Sequence, residues 1–270
     1  MDLIDELTNI VSRAAEAILA VRKGALDVRT KADQSPVTAA DEASEAVILE
    51  GVSRALPGVA IISEEAFGAG PPPLLRETFV LVDPLDGTRE FVAGRNEFCV
   101  NLAVADPAAH LRLGVVAAPA LGLIWRTAPG GGAERLRLAP GAPVSAAAER
   151  TAISTRPLPA AGIVAAISRS HLDPATKTFL AQIPDAGTKA SGSAIKLCWV
   201  AEGSADVYPR FGPVREWDVA AGDAIVSAAG GVVMTPAGER LRYGQVGAGF
   251  LVPGFIAWGD QEGPKRLALL

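Results

Sequence analysis

Residues 79–88 read FVLVDPLDGT, an apolar run that ends in two closely spaced aspartates. The run predicts a buried strand, and Pro84 should end it because proline has no N–H to donate to a sheet. Asp83 leaves the strand and Asp86 follows in a tight turn, where Gly87 permits close approach of the backbone. Two carboxylates this close repel each other, so either one keeps its proton or a cation lies between them. The alternative is an ordinary capped turn with solvated acids.

Two further acidic clusters lie far away along the chain. Residues 63–65 (SEE) end a short predicted strand, and residues 216–218 (EWD) begin a predicted helix. One glutamate of the first cluster could bridge a metal ion and orient a water, although the pair could also be surface acids at a strand end. Asp218 could ligate the same ion or could be a plain helix N-cap.

The ligands that these clusters offer are all oxygens, namely carboxylates and the backbone carbonyl of Leu85. Oxygen ligands favour Mg²⁺ or Mn²⁺ over zinc. The two histidines of the chain, His110 and His171, have no zinc-ligand spacing with a cysteine. The three clusters together therefore predict a cage of carboxylates for hard metal ions, and metals held in this way usually act on phosphate.

The composition is that of an ordinary globular enzyme, with 270 residues of which 49% are hydrophobic. The net charge of -5 argues against nucleic acid as a partner. Cys99 and Cys198 lie in apolar segments far apart, which favours reduced thiols and predicts a cytoplasmic location, with peripheral attachment to the inner membrane as an alternative. The acidic start of the chain is unlike a signal peptide, and no apolar run is long enough to span a membrane.

Hydrophobic spacing predicts the secondary structure. The predicted helices are residues 4–21, 38–56, 174–182, 192–202 and 219–229. The predicted strands are residues 59–62, 79–82, 98–105, 113–118, 122–127, 163–167, 205–208, 232–234 and 255–258. Thr38 is the expected N-cap of the second helix, with Asp41 placed to complete a capping box.

The chain length suits one large domain or two joined smaller ones. The composition shifts over residues 135–149, and we place a soft boundary there. Residues 1–140 are predicted to form an N-terminal α+β domain that carries most of the metal ligands. Residues 141–270 are predicted to form a C-terminal α/β domain, because strands alternate with helices there, and to carry Asp218 and the substrate-binding residues.

Two motifs give the chain a family resemblance. DPLDGT at residues 83–88 and WDVAAG at residues 217–222 resemble the signature of the lithium-sensitive, magnesium-dependent phosphatases related to inositol monophosphatase. Within that superfamily the chain is most similar to the bacterial 3'(2'),5'-bisphosphate nucleotidases, over nearly all of its length. The stretches that carry this finer similarity are residues 86–91 (DGTREF), 96–98 (NEF), 168–171 (SRSH), 192–196 (GSAIK) and 208–213 (YPRFGP).

The resemblance implies an α/β (α+β) fold, a layered αβαβα sandwich, with two or three Mg²⁺ ions that Mn²⁺ could replace. The metal ligands that it implies are Glu64, Asp83, the Leu85 carbonyl, Asp86 and Asp218. It further implies that Asp41 and Thr88 form a dyad that activates water, together with Glu64. Thr88 could alternatively be a helix N-cap, and the amides after Gly87 could cradle a phosphate. Inhibition by Li⁺ is implied by the family alone.

Four residues match positions that hold the second phosphate and the base of a nucleotide, namely His171, Ser193, Lys196 and Arg210. A lysine one helical turn after a serine would place a charge and a hydroxyl on one face. Lys196 could instead be an exposed helix charge, and His171 a capping or packing residue. The chain also departs from its relatives at Arg89, Asp223 and residues 251–253, which leaves the substrate preference open.

The function that the resemblance implies is hydrolysis of the 3'-phosphate of adenosine 3',5'-bisphosphate, or of its sulfated relative, in sulfur assimilation. The expected partner is this small molecule, and both a monomer and a homodimer stay open. One alternative is an inositol monophosphatase or a fructose-1,6-bisphosphatase-like enzyme with the same metal core. Another is a non-catalytic metal-binding module, which Thr88 and Asp41 argue against because a binder needs no proton relay.

Overall fold

The computed structural model describes residues 2–24, 28–30, 36–67, 75, 77–106, 108, 110–170, 172–183 and 185–267. Within these residues the chain forms seven α-helices and sixteen β-strands. The helices are α1 Leu3–Arg22, α2 Ala39–Ala55, α3 Thr88–Val92, α4 Pro174–Leu180, α5 Ile195–Ala201, α6 Glu216–Ala228 and α7 Gly263–Arg266. The strands are β1 Val28–Thr30, β2 Pro36–Thr38, β3 Ala60–Ser63, β4 Phe79–Asp86, β5 Cys99–Ala105, β6 Leu111–Ala118, β7 Leu123–Thr127, β8 Ala133–Arg137, β9 Glu149–Ile153, β10 Val164–Ser168, β11 Gly187–Ser191, β12 Val207–Arg210, β13 Val214–Arg215, β14 Val232–Met234, β15 Leu251–Val252 and β16 Phe255–Trp258.

Two large sheets organise the molecule. Strands β3 to β9 form a seven-stranded sheet in sequence order, antiparallel except for the parallel pair β3 and β4. A five-stranded sheet has the order β11-β10-β12-β16-β14, with parallel pairing around β10 and antiparallel pairing around β16. Strand β5 is buried along its whole length, which is typical of a central strand covered on both faces.

Helices cover the faces of both sheets and give five layers. One core cluster joins α1 and α2 to the outer face of the seven-stranded sheet, and a second packs α5 and α6 between the two sheets. A third cluster joins α4, through Phe179, to the far face of the five-stranded sheet. The predicted αβαβα sandwich is therefore confirmed.

The amphipathic spacing of α1 explains its place in this order. Leu7, Val11, Ala14 and Ile18 recur at helical spacing and are all buried against the sheet. The helix closely matches the prediction over residues 4–21. Within the described part of the chain, no helix combines the length and the apolar character that crossing a bilayer requires.

Pro84 does not end its strand, so this expectation is wrong. Strand β4 continues to Asp86, and its register with β5 shifts between Asp83, opposite Asn101, and Asp86, opposite Cys99. Such a bulge leaves its extra residues unpaired, and proline is tolerated there because no ladder hydrogen bond is lost. The irregularity places two aspartates at the same end of one strand.

Two predicted helices begin elsewhere. The helix expected over residues 192–202 begins at Ile195, because Ser193 has a φ of 50°, outside the helical region. The helix expected over residues 219–229 begins at Glu216, the first residue of the cluster that was also expected to begin a helix, and the Asp218 side chain accepts the N–H of Arg215 at 2.9 Å. Asp218 therefore helps to cap α6 but is not its N-cap residue.

The domain boundary between residues 140 and 141 stays a prediction, and the sheet topology bears on where it would fall. Strand β9 follows that boundary but still pairs with β8 in the seven-stranded sheet. The chain first enters the five-stranded sheet at β10. The connection between Ile153 and Val164 is therefore where the chain changes sheets.

Candidate active site

The bulge of β4 and the short helix α3 form the floor of the site. Asp83 is 1% exposed, and its Oδ1 accepts the N–H of Leu85 at 3.0 Å. Gly87 is the N-cap of α3 with a φ of 92°, a left-handed conformation that favours glycine. Gly87 therefore occupies the position considered for Thr88, so the N-cap interpretation of Thr88 is wrong. The turn leaves the Thr88 hydroxyl 3.1 Å from the Leu85 carbonyl.

Three separate segments bring their acids together here. Glu64 directly follows β3, where its N–H donates to the carbonyl of Val82 at 3.1 Å. Asp218 lies in the first turn of α6 and lines the cavity. Carboxylate oxygens of Glu64, Asp83 and Asp218 all lie within 4.8 Å of one another, close enough to hold one metal ion. Asp86 and Leu85 line the same cavity.

The electrostatics of this cluster favour a bound cation. Desolvation, followed by the charges of Glu64, Asp86 and Asp218, raises the pKa of Asp83 well above its usual value. Desolvation and the charges of Asp86 and Glu64 likewise raise the pKa of Asp218 to about 8. Desolvation also raises the pKa of Asp86, against the opposing charge of Lys196. Ionising all of these buried carboxylates without a nearby positive charge is energetically unfavourable. The donor set therefore fits a hard divalent cation.

Thr88 and Asp41 are in contact, as a proton relay requires. The Thr88 hydroxyl lies 3.3 Å from Oδ1 of Asp41, which is 1% exposed. Oδ2 of Asp41 accepts both the N–H and the hydroxyl of Thr38 at 2.8 Å, while the Ala40 N–H donates to the Thr38 hydroxyl at 3.1 Å. The predicted capping box of α2 is therefore confirmed, and it fixes the carboxylate that faces Thr88.

Cationic and hydroxyl groups line the same cavity as the acids, and we call this set the cationic wall. The cavity has a volume of about 240 Å³, and Ser168, Ser193, Lys196 and Arg210 line it together with the acidic residues. Lys196 is 1% exposed and donates to the carbonyls of Ser191 at 3.2 Å and Ser193 at 2.5 Å. It is therefore not an exposed helix charge.

Ser193 reaches the cavity differently from the prediction. It precedes α5, so it does not share a helical face with Lys196. Its hydroxyl instead lies 3.1 Å from the Cys99 sulfur.

Arg210 ends β12 and is half-buried. Its Nε is buried and has no hydrogen-bond partner within the described part of the chain, although its guanidinium group lines the cavity. The prediction for His171 lies outside the described residues.

Asn101 belongs to the site but was missed by the sequence reasoning. Its Nδ2 donates to Oδ2 of Asp86 at 3.3 Å, and its main chain pairs with Asp83 across the sheet. The signal was present, because Asn101 is the one polar residue in the apolar strand CVNLAVA. A buried amide in such a run indicates a polar partner.

Comparison with curated proteins finds relatives over nearly the full length. The chain is 38% identical over 255 residues to the 3'(2'),5'-bisphosphate nucleotidase CysQ of Escherichia coli (strain K12), an alignment that covers 94% of this chain and 98% of that protein. It is 32% identical over 251 residues to the protein of the same name from Buchnera aphidicola, with 89% and 87% covered.

Comparison with solved structures also finds matches over nearly the full length of the chain. The crystal structure of CysQ from Bacteroides thetaiotaomicron matches with a TM-score of 0.76 at 33% identity, covering 95% of this chain and 96% of that one. An IMPase from Thermotoga maritima matches with a TM-score of 0.79 at 23% identity over 100% of this chain and 96% of that one, which shows the fold alone. The model of the inositol monophosphatase family matches residues 2–256. On this evidence, the chain belongs to the inositol monophosphatase family.

Proposed function

We propose that the protein is a metal-dependent phosphomonoesterase that removes the 3'-phosphate of adenosine 3',5'-bisphosphate, or of its sulfated relative. The relatives named above are 3'(2'),5'-bisphosphate nucleotidases. The observation that carries the proposal is one cavity lined both by the acids around Asp83 and by the cations Lys196 and Arg210. A nucleotide bisphosphate has two separate anionic groups, of which a cation held by the acids would suit one and the cationic side chains the other.

The proposed cofactor is Mg²⁺, as two or three ions, with Mn²⁺ as a substitute. Glu64, Asp83, Asp86, Asp218 and the Leu85 carbonyl would hold them, since all five line the cavity with oxygen ligands. A bound divalent cation supplies Lewis-acid chemistry, because it lowers the pKa of water and neutralises charge on phosphate oxygens.

The chain's own residues then have distinct proposed roles. Glu64 orients the attacking water, and the Thr88 hydroxyl accepts the water's proton while passing its own to Asp41. The water oxygen bonds to phosphorus as the bond to the 3'-oxygen breaks, and that oxygen takes a proton from solvent. The backbone of Gly87 and Thr88 contacts the phosphate that is removed.

A covalent phosphoenzyme is not part of the proposal. Cys99 is the cysteine beside the cavity, but desolvation followed by the charge of Asp86 raises its pKa to about 12. The thiol form is a poor nucleophile, since the thiolate is the reactive species. Direct attack by water is therefore the proposed route.

The second phosphate and the base are assigned to the cationic wall. Within the described residues, Lys196 donates two of its three N–H groups to protein carbonyls, which leaves one for a phosphate oxygen. The guanidinium group of Arg210, which lines the cavity, is a further donor. Ser193 and His171 complete the proposed set. A monomer or homodimer and a cytoplasmic location remain expectations.

The alternatives make different demands on the site. An inositol monophosphatase or a sugar bisphosphatase would use the same acidic cluster but has no need of a nucleotide's second phosphate site. A metal-binding module needs no contact between Thr88 and Asp41, which favours an enzyme.

Phosphate release from several esters tests the proposed substrate. The purified protein with Mg²⁺ is given adenosine 3',5'-bisphosphate, inositol 1-phosphate and fructose 1,6-bisphosphate. We expect kcat/KM for the nucleotide to exceed the others by about tenfold or more, equivalent to about 1.4 kcal/mol. A preference for inositol phosphate or the sugar would contradict the substrate assignment while leaving the metal chemistry in place.

A further inference from the structure

A bidentate ion pair crosses between the two sheets beside the cavity. Glu97 lies between α3 and β5, and Arg169 directly follows β10. Arg169 donates to the Glu97 carboxylate through Nη2 at 2.7 Å and Nε at 2.8 Å, and its Nη2 also reaches the carbonyl of Ala190 at 2.9 Å. A planar two-point contact of this kind fixes direction as well as distance.

The same carboxylate holds the loop that carries Ser193. Oε2 of Glu97 accepts the N–H of Gly192 at 2.9 Å. Two residues later, the N–H of Ala194 donates to Oδ2 of Asp86 at 2.5 Å. The loop is therefore tied at one end to Glu97 and at the other to the acidic cluster.

The packing around Gly192 leaves no room for a side chain at this position. A Cβ added to Gly192 would lie 2.7 Å from Cγ of Glu90 and 2.8 Å from the main-chain oxygen of Glu97. The Glu90 carboxylate also accepts the hydroxyl of Ser170 at 2.5 Å. Glu90 and Glu97 thus contact both loops that lead to the cationic wall.

Glu97 is ionised throughout the neutral range. Partial burial alone would raise its pKa, but the hydrogen bonds from Arg169 and Gly192 more than offset this and hold the pKa below the usual value. The charge makes its hydrogen bonds stronger than those of a neutral amide at the same place.

We infer that Glu97 is a positioning residue for the cationic wall of the cavity. Through Arg169 and Gly192 it holds the segments that place Ser168 and Ser193 at the cavity, and among its hydrogen bonds to described residues none goes to Glu64, Asp83, Asp218, Thr88 or Asp41. The identity of the substrate in this inference rests on the proposed function. Loss of the Glu97 charge should weaken substrate binding and leave the chemical step largely intact.

The variant Glu97→Gln keeps the side-chain shape and removes the charge. We expect KM for adenosine 3',5'-bisphosphate to rise by about tenfold, with kcat changing by less than about threefold. The reason is that the lost interactions stabilise the bound substrate and the transition state equally. Arg169→Gln should give the same rise, and the double variant no more than either single one. Glu50→Gln is the matched control, since it breaks an exposed ion pair with Arg54 on α2 far from the cavity.

A readout independent of turnover separates positioning from a general structural role. In Glu97→Gln the amides of residues 192–194 should exchange hydrogen faster, while those of α1 and β5 stay as protected as in the wild type. Unchanged exchange in the loop, or an unchanged KM, would overturn the inference. If the wild type releases no phosphate from the nucleotide, the proposed function fails, and the exchange measurement still decides the role of Glu97.

Discussion

Asp83 illustrates how one side chain links the fold to the chemistry. Its carboxyl is buried in β4, and desolvation, followed by the charges of Glu64, Asp86 and Asp218, raises its pKa. Such a group destabilises the folded chain when it is ionised alone, and a divalent cation removes that penalty. We therefore propose that Asp83 serves metal binding at the expense of stability.

Replacing Asp83 should separate activity from stability. Asp83→Asn retains an oxygen for the N–H of Leu85 but removes a charge, so we expect phosphate release to fall by about a hundredfold or more. The melting temperature without metal should stay the same or rise, because a buried repulsion is lost. Thermal unfolding and phosphate release measured side by side check both parts. A variant that keeps full activity in limiting Mg²⁺ would show the ligand assignment to be wrong.

Thr88 tests the proton relay. Thr88→Ala removes the hydroxyl that contacts Asp41 and the Leu85 carbonyl, and kcat should fall by about 10²–10⁴ because general-base assistance is lost. Thr88→Ser keeps the hydroxyl and should retain most of kcat. Equal losses in the two variants would contradict the relay and point to a role for the methyl group in packing.

Lys196 tests the second phosphate site. Lys196→Met keeps the stem of a buried side chain and removes its ammonium group. We expect KM for adenosine 3',5'-bisphosphate to rise by about tenfold more than KM for inositol 1-phosphate, which has no second phosphate. Any effect through the charge of Asp86 is common to both esters and cancels in the ratio. Equal rises would remove Lys196 from the substrate-binding set.

The elements show where reasoning from sequence succeeds and where it fails. The repeating apolar spacing of α1 and the capping box of α2 involve residues that are close together in the sequence. The roles of Thr38 and Asp41 at the start of α2 could therefore be predicted from the sequence alone. The bulge at Pro84 and the left-handed conformation of Ser193 depend on partners distant in sequence, namely β5 and the loops around Glu97. The burial of Lys196 was missed for the same reason, because helical spacing gives no information about what covers a helix.

Helix α6 carries a buried acid that should make stability depend on pH. Desolvation, partly opposed by hydrogen bonds from Tyr243 and Ser227, raises the pKa of Asp223 to about 6 from 3.8. The folded state therefore binds this proton more tightly than the unfolded chain does. Its contribution to stability is fully present below about pH 4 and is lost as the pH rises through about 6.

Asp223→Asn removes this titration. The free energy of unfolding of the variant relative to the wild type should increase by about 2–3 kcal/mol between about pH 4 and pH 7. Urea denaturation at several pH values measures this difference, with Glu50→Gln as the exposed control. A constant difference across that range would show that Asp223 does not titrate as described.

At the scale of the molecule, the site joins parts that belong to different layers. Glu64 and Asp83 come from the seven-stranded sheet, Asp218 from the helical layer between the sheets, and Arg210 from the five-stranded sheet. The sequence motifs identified all three acidic clusters before the layers were known. The loop contacts of Glu97 could not be predicted, because they depend on how the two sheets face each other.

Metal binding should therefore stabilise the whole molecule. A cation held by Glu64, Asp83 and Asp218 binds only the folded chain, and at a concentration about 100 times its Kd it should add about 2.7 kcal/mol to the free energy of unfolding. Thermal unfolding with and without Mg²⁺ checks this. Asp218→Asn should lose most of the stabilisation, and an equal Mg²⁺ effect in that variant would contradict a shared site.

The most direct test of the proposed metal-dependent hydrolysis is phosphate release from adenosine 3',5'-bisphosphate by chelator-treated protein, measured before and after Mg²⁺ is restored. We expect no turnover above the uncatalysed rate without metal, recovery of activity with Mg²⁺, and about a hundredfold less recovery, or none, in Asp83→Asn. Release of phosphate at the same rate in the absence of divalent metal, or by Asp83→Asn, would contradict it.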